Sequence, residues 1–355
     1  MSINPKEIWI FLSHSYEDYD RVRCVRNMLE EYGMRPIMFF LKCLSEEKEI
    51  DSLIKREIDC RTRFILCDSP NARKSEWVQK EVEYIKGQGK GIEVVNLNES
   101  DDKIREKLFS YKRKNNLYIS YVRKYTVLAR QIAQRLHKYD FNTFVDVDSI
   151  CGGMSFKNQI MQALEQAVEH GKLIALLGSE KAGWTLKEIE YVIKSDPNND
   201  IIIPVYLMKE SKDLYGEKLK DYKGIDLSNM SDITASNIVN ALLTHLFEYG
   251  DILTYANNFR YGIGCKKDIE EADILAKLYV AEIEKKSVGF NGPGMDLHLA
   301  NLYSRGYGVK KDIAKAKEYL AEAHDCWGID ISAQLQLIEK NWITDRNLPH
   351  LPSLQ

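Results

Sequence analysis

Trp77 and Glu81, four positions apart, have residue types and a spacing that could do chemistry. In a helix this spacing places both side chains on one face, one turn apart. A carboxylate would then lie beside an indole, which can exclude water and pack against a ring of a bound molecule. The pair recurs as Trp184 and Glu188 at one offset of 107 residues (184 − 77 and 188 − 81). The chain is therefore predicted to contain a tandem duplication that presents this pair twice.

Each of these residues also has an ordinary structural interpretation. Glu81 could be a helix-surface glutamate paired with a neighbouring lysine, and Trp77 could pack between a helix and a sheet. Glu83 and Glu190, two residues further on, are predicted to point to solvent.

Two serines share the same offset, because Ser13 maps onto Ser120 (120 − 13). Each follows an apolar run that is typical of a strand. The hydroxyls could line a pocket or cap the helix that follows, and capping is the interpretation that the residue type favours. His14 could act in acid or base chemistry, but the second copy has Tyr121 there. An imidazole is therefore not predicted to be required in both copies.

Short apolar runs alternate with amphipathic helices in both copies, which predicts parallel sheets covered on both faces. The predicted strands are 8–12, 36–40, 64–67 and 92–97, then 117–119, 143–147, 173–177 and 201–206. The predicted helices are 17–32, 50–58 and 76–85, then 122–139, 155–169 and 184–193. Residues 98–116 are interpreted as a polar linker that contains the basic cluster Lys112, Arg113 and Lys114. A loop and a closing helix, capped by Ser231 or Thr234, are predicted to end the second copy.

The C-terminal part has a different pattern, in which a helical segment, a glycine turn and a second helix occur twice. Gly262 and Gly264 recur as Gly306 and Gly308, 44 residues on (306 − 262). Glycine permits the positive φ that such turns need. The pattern resembles the Sel-like branch of the tetratricopeptide repeats at Tyr303, Gly306, Gly308, Val309, Asp312, Lys315 and Ala316. That resemblance implies a short solenoid with a terminal helix at 331–341 and a face for a protein partner.

Composition excludes several classes of function. The 50 basic and 53 acidic residues give a net charge of −3, which does not favour a nucleic-acid partner. No run approaches the roughly 20 apolar residues that a membrane span needs, and no signal peptide is evident. The seven cysteines form no CxxC pair, so neither a disulfide framework nor a metal site is predicted. These features are typical of a cytoplasmic globular protein.

Both copies together resemble Toll/interleukin-1 receptor (TIR) domains. The resemblance depends on SHSYED after a strand in the first copy, FVDVDSICGGMSF after the second strand of the other, and S-x-W-x-x-x-E at the start of a late helix. It implies an α/β fold with two flavodoxin-like parallel sheets, followed by the all-α repeats. The predicted domains are 1–111 and 112–249 for the TIR copies, 250–345 for the repeats and 346–355 for a tail.

The resemblance also implies an activity, since many bacterial TIR domains cleave NAD at the nicotinamide–ribose bond. The family's catalytic glutamate falls on Glu81 and on Glu188, with Glu81 the first candidate. The implied substrate pocket comprises Ser13, Trp77, Ser120, Asp146 and Trp184, although Asp146 could simply end a strand. NAD is the expected substrate, no cofactor or metal is expected, and the product is ADP-ribose or a cyclic form. Such enzymes act after self-association. The resemblance as a whole implies a bacterial immune or stress effector.

The copies depart from the TIR pattern in different places. The first has no glycine in the loop after its second strand, and the second has Ala182 where the first has Ser75. This asymmetry keeps two alternatives open. One is a non-catalytic scaffold that self-associates and binds a protein through its repeats, and the other is a protein in which one copy is catalytic and the other regulates assembly.

Overall fold

The structure is a computed structural model that describes residues 8–39, 47–113, 116–145, 160–162, 164–165, 171–180, 183–263, 265–287, 293–328 and 330–339. No helix in these ranges has both the length and the apolar character needed to cross a bilayer. The chain divides into two compact units. The four-stranded unit comprises Trp9–Cys24, Arg35–Asn98 and Thr244–Gln355, and the five-stranded unit comprises Met1–Ile8, Val25–Met34 and Glu99–Leu243.

The first copy alternates strands and helices as predicted. Its elements are β1 (Ile8–Ser13), α1 (Tyr19–Glu31), β2 (Met34–Ile37), α2 (Glu47–Asp59), β3 (Phe64–Asp68), α3 (Pro70–Lys74), α4 (Glu76–Gly87), β4 (Glu93–Asn96) and α5 (Asp101–Arg113). The strands lie in the order β2-β1-β3-β4, and β3 pairs in parallel with both β1 and β4.

The centre of this sheet is apolar on both faces, which is why β1 reads as an unbroken apolar run. Ile10, Phe11 and Leu12 are all buried. Phe11 belongs to a cluster with Phe64 of β3 and with apolar residues of α2 and α4. Burial of this cluster positions α4 across the sheet, so that its residues reach the end of β1.

The second copy repeats the order and adds one strand. Its elements are β5 (Asn116–Tyr121), α6 (Thr126–Leu136), β6 (Asn142–Phe144), β7 (Lys172–Leu177), α7 (Gly183–Ile193), β8 (Ile202–Tyr206), α8 (Lys209–Leu219), β9 (Ile225–Asp226) and α9 (Ala235–Leu246). The sheet order is β6-β5-β7-β8-β9, and the pairs are parallel. This is the flavodoxin-like order. Thr234 caps α9, since its Oγ1 accepts a hydrogen bond from the Asn237 amide at 3.2 Å.

Two predictions about this part of the chain need correction. The linker prediction for residues 98–116 is wrong, because residues 101–113 form α5, in which Ile104, Leu108 and Tyr111 are buried. Arg113 and Lys112 of the basic cluster therefore end a packed helix, whereas Lys114 lies outside the described residues. The sequence pattern also did not predict α8 and β9. The predicted helix at 155–169 falls mostly outside the described residues, and those described within it are helical.

The C-terminal region is helical, as predicted. It contains α10 (Tyr249–Tyr261), α11 (Ile269–Ser287), α12 (Pro293–Arg305), α13 (Ile313–Trp327) and α14 (Ser332–Glu339). Helix α10 packs against α11, and α12 against α13, as two hairpins. Gly262 and Gly306 have φ near +72° and +71°, as the glycine turns require, and Gly264 lies outside the described residues. The arrangement as a Sel-like solenoid stays a prediction.

Candidate functional site in the first copy

A break between two helices positions Glu81 at the end of β1. Ser69 caps α3 by accepting a hydrogen bond from the Ala72 amide at 2.9 Å. Ser75 then adopts an extended conformation and caps α4 in the same way, through the Val78 amide at 3.4 Å. The two caps start α3 and α4, so the chain breaks at Ser75 and a new helix begins there.

Ser13 and Glu81 are in direct contact. The Ser13 hydroxyl donates a hydrogen bond to Oε2 of Glu81 at 2.5 Å. Ser13 is the last residue of β1, a central strand, and it is fully buried. In an open parallel sheet the crevice beyond the carboxyl ends of the central strands is where ligands bind. The pair therefore lies where the fold places a ligand site.

The electrostatic state of Glu81 follows from its burial. Loss of solvation raises the pKa of this carboxyl to about 7, and the hydrogen bond from Ser13 partly opposes that rise. Among the described residues, Ser13 is the hydrogen-bond partner of Glu81. Oε1 is therefore available to a bound molecule, and a positive charge there would favour the ionised carboxylate.

The second copy brings its equivalent residues together more tightly. The Ser120 hydroxyl donates to Oε2 of Glu188 at 2.5 Å, and the Tyr118 hydroxyl donates to Oε1 at 2.9 Å. Glu188 is only 8% exposed. Both carboxylate oxygens are thus engaged by the protein, which closes this glutamate to a ligand.

The residue two positions before each serine contributes to this difference. Tyr118 and Phe11 are equivalent, because each lies two residues before the serine of its copy (120 − 118 and 13 − 11). Phe11 is buried and has no hydroxyl to offer Glu81. The Tyr118 hydroxyl therefore occupies an oxygen of Glu188 whose counterpart in Glu81 has no described hydrogen-bond partner.

The two tryptophans differ in exposure. Trp77 is partly buried and packs against the apolar cluster of the first sheet, with the Lys80 ammonium 5.0 Å from its ring centre. Trp184 is 52% exposed, and Lys187 lies 5.2 Å from its ring centre. Trp77 therefore combines a core contact with a position one turn from Glu81, whereas Trp184 is mainly at the surface.

The structure contradicts two of the interpretations of these residues and agrees with a third. The capping interpretation of the two serines is wrong, because Ser15 caps the turn after β1 and Val122 occupies the equivalent cap without a side-chain bond. The lysine-paired surface interpretation of Glu81 is also wrong, since its partner is Ser13. Glu83 and Glu190 are exposed, as predicted. Asp146 lies outside the described residues.

His14 faces the strand that precedes it. Its Nδ1 donates to the Leu12 carbonyl at 3.0 Å, and burial lowers the pKa of the imidazole. The ring is therefore neutral near pH 7. It contacts the backbone, and nothing in its described contacts places it beside Glu81.

Sequence reasoning missed the bonds that hold α3 in place. Asp18 accepts hydrogen bonds from the Ser69 hydroxyl at 2.5 Å and from the Asn71 amide at 2.8 Å. The signal was one of several acidic residues in and after the turn that follows β1, and in sequence it is indistinguishable from a solvated residue. Within the described ranges, His, Cys, Asp and Glu side chains form no group that could hold a metal ion.

Comparison with known proteins gives the family. The family model described as TIR domain matches residues 10–114 and again residues 117–243. Comparisons with curated proteins and with solved structures found no match. The two matches coincide with the two parallel sheets and together span more than half of the chain. The chain therefore belongs to the TIR domain family and carries two TIR domains in tandem.

Proposed function

We propose that this protein cleaves NAD at the nicotinamide–ribose bond, with Glu81 of the first TIR domain as the catalytic carboxylate. The observation that carries the proposal is the state of Glu81: Ser13 holds one oxygen, and the other is left for a ligand at the carboxyl end of β1. TIR domains include both NAD-cleaving enzymes and signalling scaffolds, and membership of the family does not by itself favour either.

The chemistry requires little besides one well-placed anion. The bond between C1′ of the ribose and the pyridinium nitrogen breaks, and its electron pair leaves with nicotinamide, which becomes neutral. The ribosyl group develops positive charge, as in glycoside cleavage. A carboxylate held in poorly solvated surroundings stabilises that charge more than it would in water. Water then captures C1′ and releases a proton to give ADP-ribose, or an adenine nitrogen captures it to give a cyclic product.

The raised pKa of Glu81 fits this role. A carboxyl with a pKa near 7 is destabilised as an anion in the empty site, so a cation placed beside it gains a strong interaction. The positive charge of NAD lies on the nicotinamide ring and moves to the ribose as the bond breaks. Glu81 would then favour the transition state, in which that charge lies on the ribose, over the bound substrate.

The second TIR domain is assigned a different role. Because Tyr118 and Ser120 occupy both oxygens of Glu188, we assign this domain to assembly rather than to chemistry. TIR domains commonly self-associate, and the helical region supplies a surface for a protein partner. The resulting protein is a cytoplasmic effector of bacterial immunity or stress, activated when copies assemble. The rival proposal is a non-catalytic scaffold. The closed site of Glu188 is the one observation that favours it.

The experiment measures nicotinamide release from NAD by the purified full chain, at high concentration and with a crowding agent that promotes assembly. Wild type is compared with Glu81→Gln and Glu188→Gln, and Glu83→Gln serves as the matched control because Glu83 is exposed on the same helix. We expect Glu81→Gln to lose release by at least a hundredfold and the other two variants to retain most of it. An inactive wild type under every assembling condition would leave the scaffold as the better account.

A reciprocal exchange tests the structural argument itself. Phe11→Tyr should place a hydroxyl against Glu81, as Tyr118 does against Glu188, and should lower activity by at least tenfold. Tyr118→Phe should free Oε1 of Glu188 without reducing the activity of the first domain. Full activity in the folded Phe11→Tyr protein would show that an open Oε1 is not what matters.

A further inference from the structure

A cavity of about 570 Å³ lies within the four-stranded unit, away from Glu81. Its walls come from the C-terminal end of α2 and the residues after it, from residues just before β4, and from α10 and α12. Neither Glu81 nor Ser13 lines it. Its volume is within the roughly 300–1,000 Å³ of small-molecule sites. The cavity is therefore large enough for a ligand and separate from the proposed catalytic site.

The charged groups around the cavity have an excess of positive charge. The ionisable side chains that carry charge near pH 7 and line it are Arg56, Arg61, Lys90, Arg305, Glu57 and Asp59. The α2 helix ends here, and its dipole adds only about half a negative charge. The sum stays positive, so the cavity favours an anion.

Not all of these cations are free to bind a ligand. The Lys90 ammonium is buried and donates to the carbonyls of Ile58, Asp59 and Arg61 at 2.7, 3.1 and 3.0 Å. It therefore contributes charge but holds α2 in place. Arg61 pairs with Glu57 through Nη2 at 2.9 Å, which leaves its Nε.

Three guanidinium groups retain donors. The Nε of Arg61 is buried without a hydrogen-bond partner. Arg56 and Arg305 line the cavity and form no hydrogen bond or ion pair with the described part of the chain. A buried unpaired donor costs free energy that a ligand acceptor would recover. Planar guanidinium groups match the oxygens of phosphate, often in pairs.

Amide side chains also line the cavity. Asn257, Asn258 and Asn301 line it from α10 and α12. Oδ1 of Asn258 is buried and has no partner among the described residues. The Tyr307 hydroxyl donates to Oδ1 of Asn257 at 3.0 Å, which fixes that side chain with its amide N–H groups unused. An amide presents a donor beside an acceptor, the pattern found on the edge of a heterocyclic base and on sugar hydroxyls.

We propose that this cavity is a binding site for a nucleoside diphosphate, with the phosphates against Arg56, Arg61 and Arg305 and the nucleoside against the asparagines. A simple inorganic anion would leave the asparagine amides without a partner, and an uncharged nucleoside would leave the guanidinium groups without one. The occupant would bridge α2 of the first TIR domain and the helical region. The proposal does not rest on NAD cleavage, because none of the residues it uses belongs to the Glu81 site.

The test is isothermal titration calorimetry of the full chain with ADP, inorganic pyrophosphate and adenosine as probes. We expect ADP to bind most tightly, pyrophosphate more weakly, and adenosine least. In the Arg56→Ala/Arg305→Ala variant the affinity for ADP should fall at least tenfold, or about 1.4 kcal/mol. The variant Arg305→Lys should lose less affinity for ADP than this double variant, because it retains the positive charge. The affinity should also fall as salt rises.

Two controls locate the site. Arg23→Ala removes an exposed arginine that pairs with Asp20 on α1 and lies outside the cavity, so it should bind ADP as wild type does. Glu81→Gln should also bind ADP normally, which separates this cavity from the site of NAD cleavage. No binding of ADP at millimolar concentration would overturn the proposal. Equal binding by the folded double arginine variant, or loss of binding in Glu81→Gln alone, would overturn it as well.

Discussion

Replacement of Glu81 by glutamine should stabilise the protein at high pH, although it should lower the rate of nicotinamide release by at least a hundredfold. Glutamine keeps the shape of the side chain and cannot ionise. Burial raises the pKa of Glu81 from its ordinary value of 4.5 to about 7. The folded state therefore holds this proton more tightly than the unfolded state does. The stabilising effect of the proton is complete below pH 4.5 and is lost as pH rises through 7.

The magnitude follows from the two pKa values. A shift of about 2.5 units corresponds to about 3 kcal/mol, since one unit is about 1.4 kcal/mol. The advantage of Glu81→Gln over wild type should therefore be below about 1 kcal/mol at pH 5 and should approach about 3 kcal/mol at pH 9.

The assay is urea unfolding at pH 5, 7 and 9, followed by tryptophan fluorescence. The chain has several domains, so the transition that responds to Trp9→Phe identifies the first domain. Glu83→Gln is the control, since Glu83 is exposed on the same helix and should show no comparable pH dependence. A stability difference between Glu81→Gln and wild type that is the same at pH 5 and pH 9 would refute the argument that burial of this carboxyl raises its pKa.

Three further predictions use other contacts. Ser13→Ala removes the hydrogen bond that lowers the pKa of Glu81, so the rising limb of kcat/KM against pH should move to higher pH; an unchanged limb would contradict this. Lys90→Met leaves three backbone carbonyls at the end of α2 without their donor, and urea unfolding should show a loss of about 3 kcal/mol or more. Gly250→Ala places a methyl group 1.9 Å from the Gln88 carbonyl oxygen, so the melting temperature should fall, whereas Gly87→Ala, which meets nothing within 4 Å, should change it little.

The fold was largely predictable because it depends on local patterns that occur twice. Buried central strands such as β1 read as unbroken apolar runs, and α1 and α4 read as helices from their spacing. The error at residues 98–116 has a clear cause. Ile104, Leu108 and Tyr111 have the spacing of one helix face, but the many charged residues between them suggested a solvated linker. Two elements were missed: α8 because its apolar content is low, and β9 because it is only two residues long.

The residues of the candidate site were predictable from the sequence, but their hydrogen-bond partners were not. The shared offset of 107 residues paired Ser13 with Ser120 and Glu81 with Glu188 before any contact was known. Sequence alone favoured capping for the serines, because a serine after a strand has a local partner for its hydroxyl in most folds. The actual partners lie 68 residues away, which only the packing of α4 and α7 across the strand ends could decide.

The sequence by itself determined that there are two copies of one fold, that each offers a glutamate on a helix, and that a helical region follows. The tertiary structure decided which glutamate is open. Phe11 and Tyr118 are both ordinary buried aromatic residues of a strand, and their difference matters only because the fold brings that position against the carboxylate. A hydroxyl there satisfies the second oxygen of Glu188, and its absence leaves Glu81 poorly solvated and available. Long-range packing sets both solvation and hydrogen-bond partners, and these determine what a carboxylate can do.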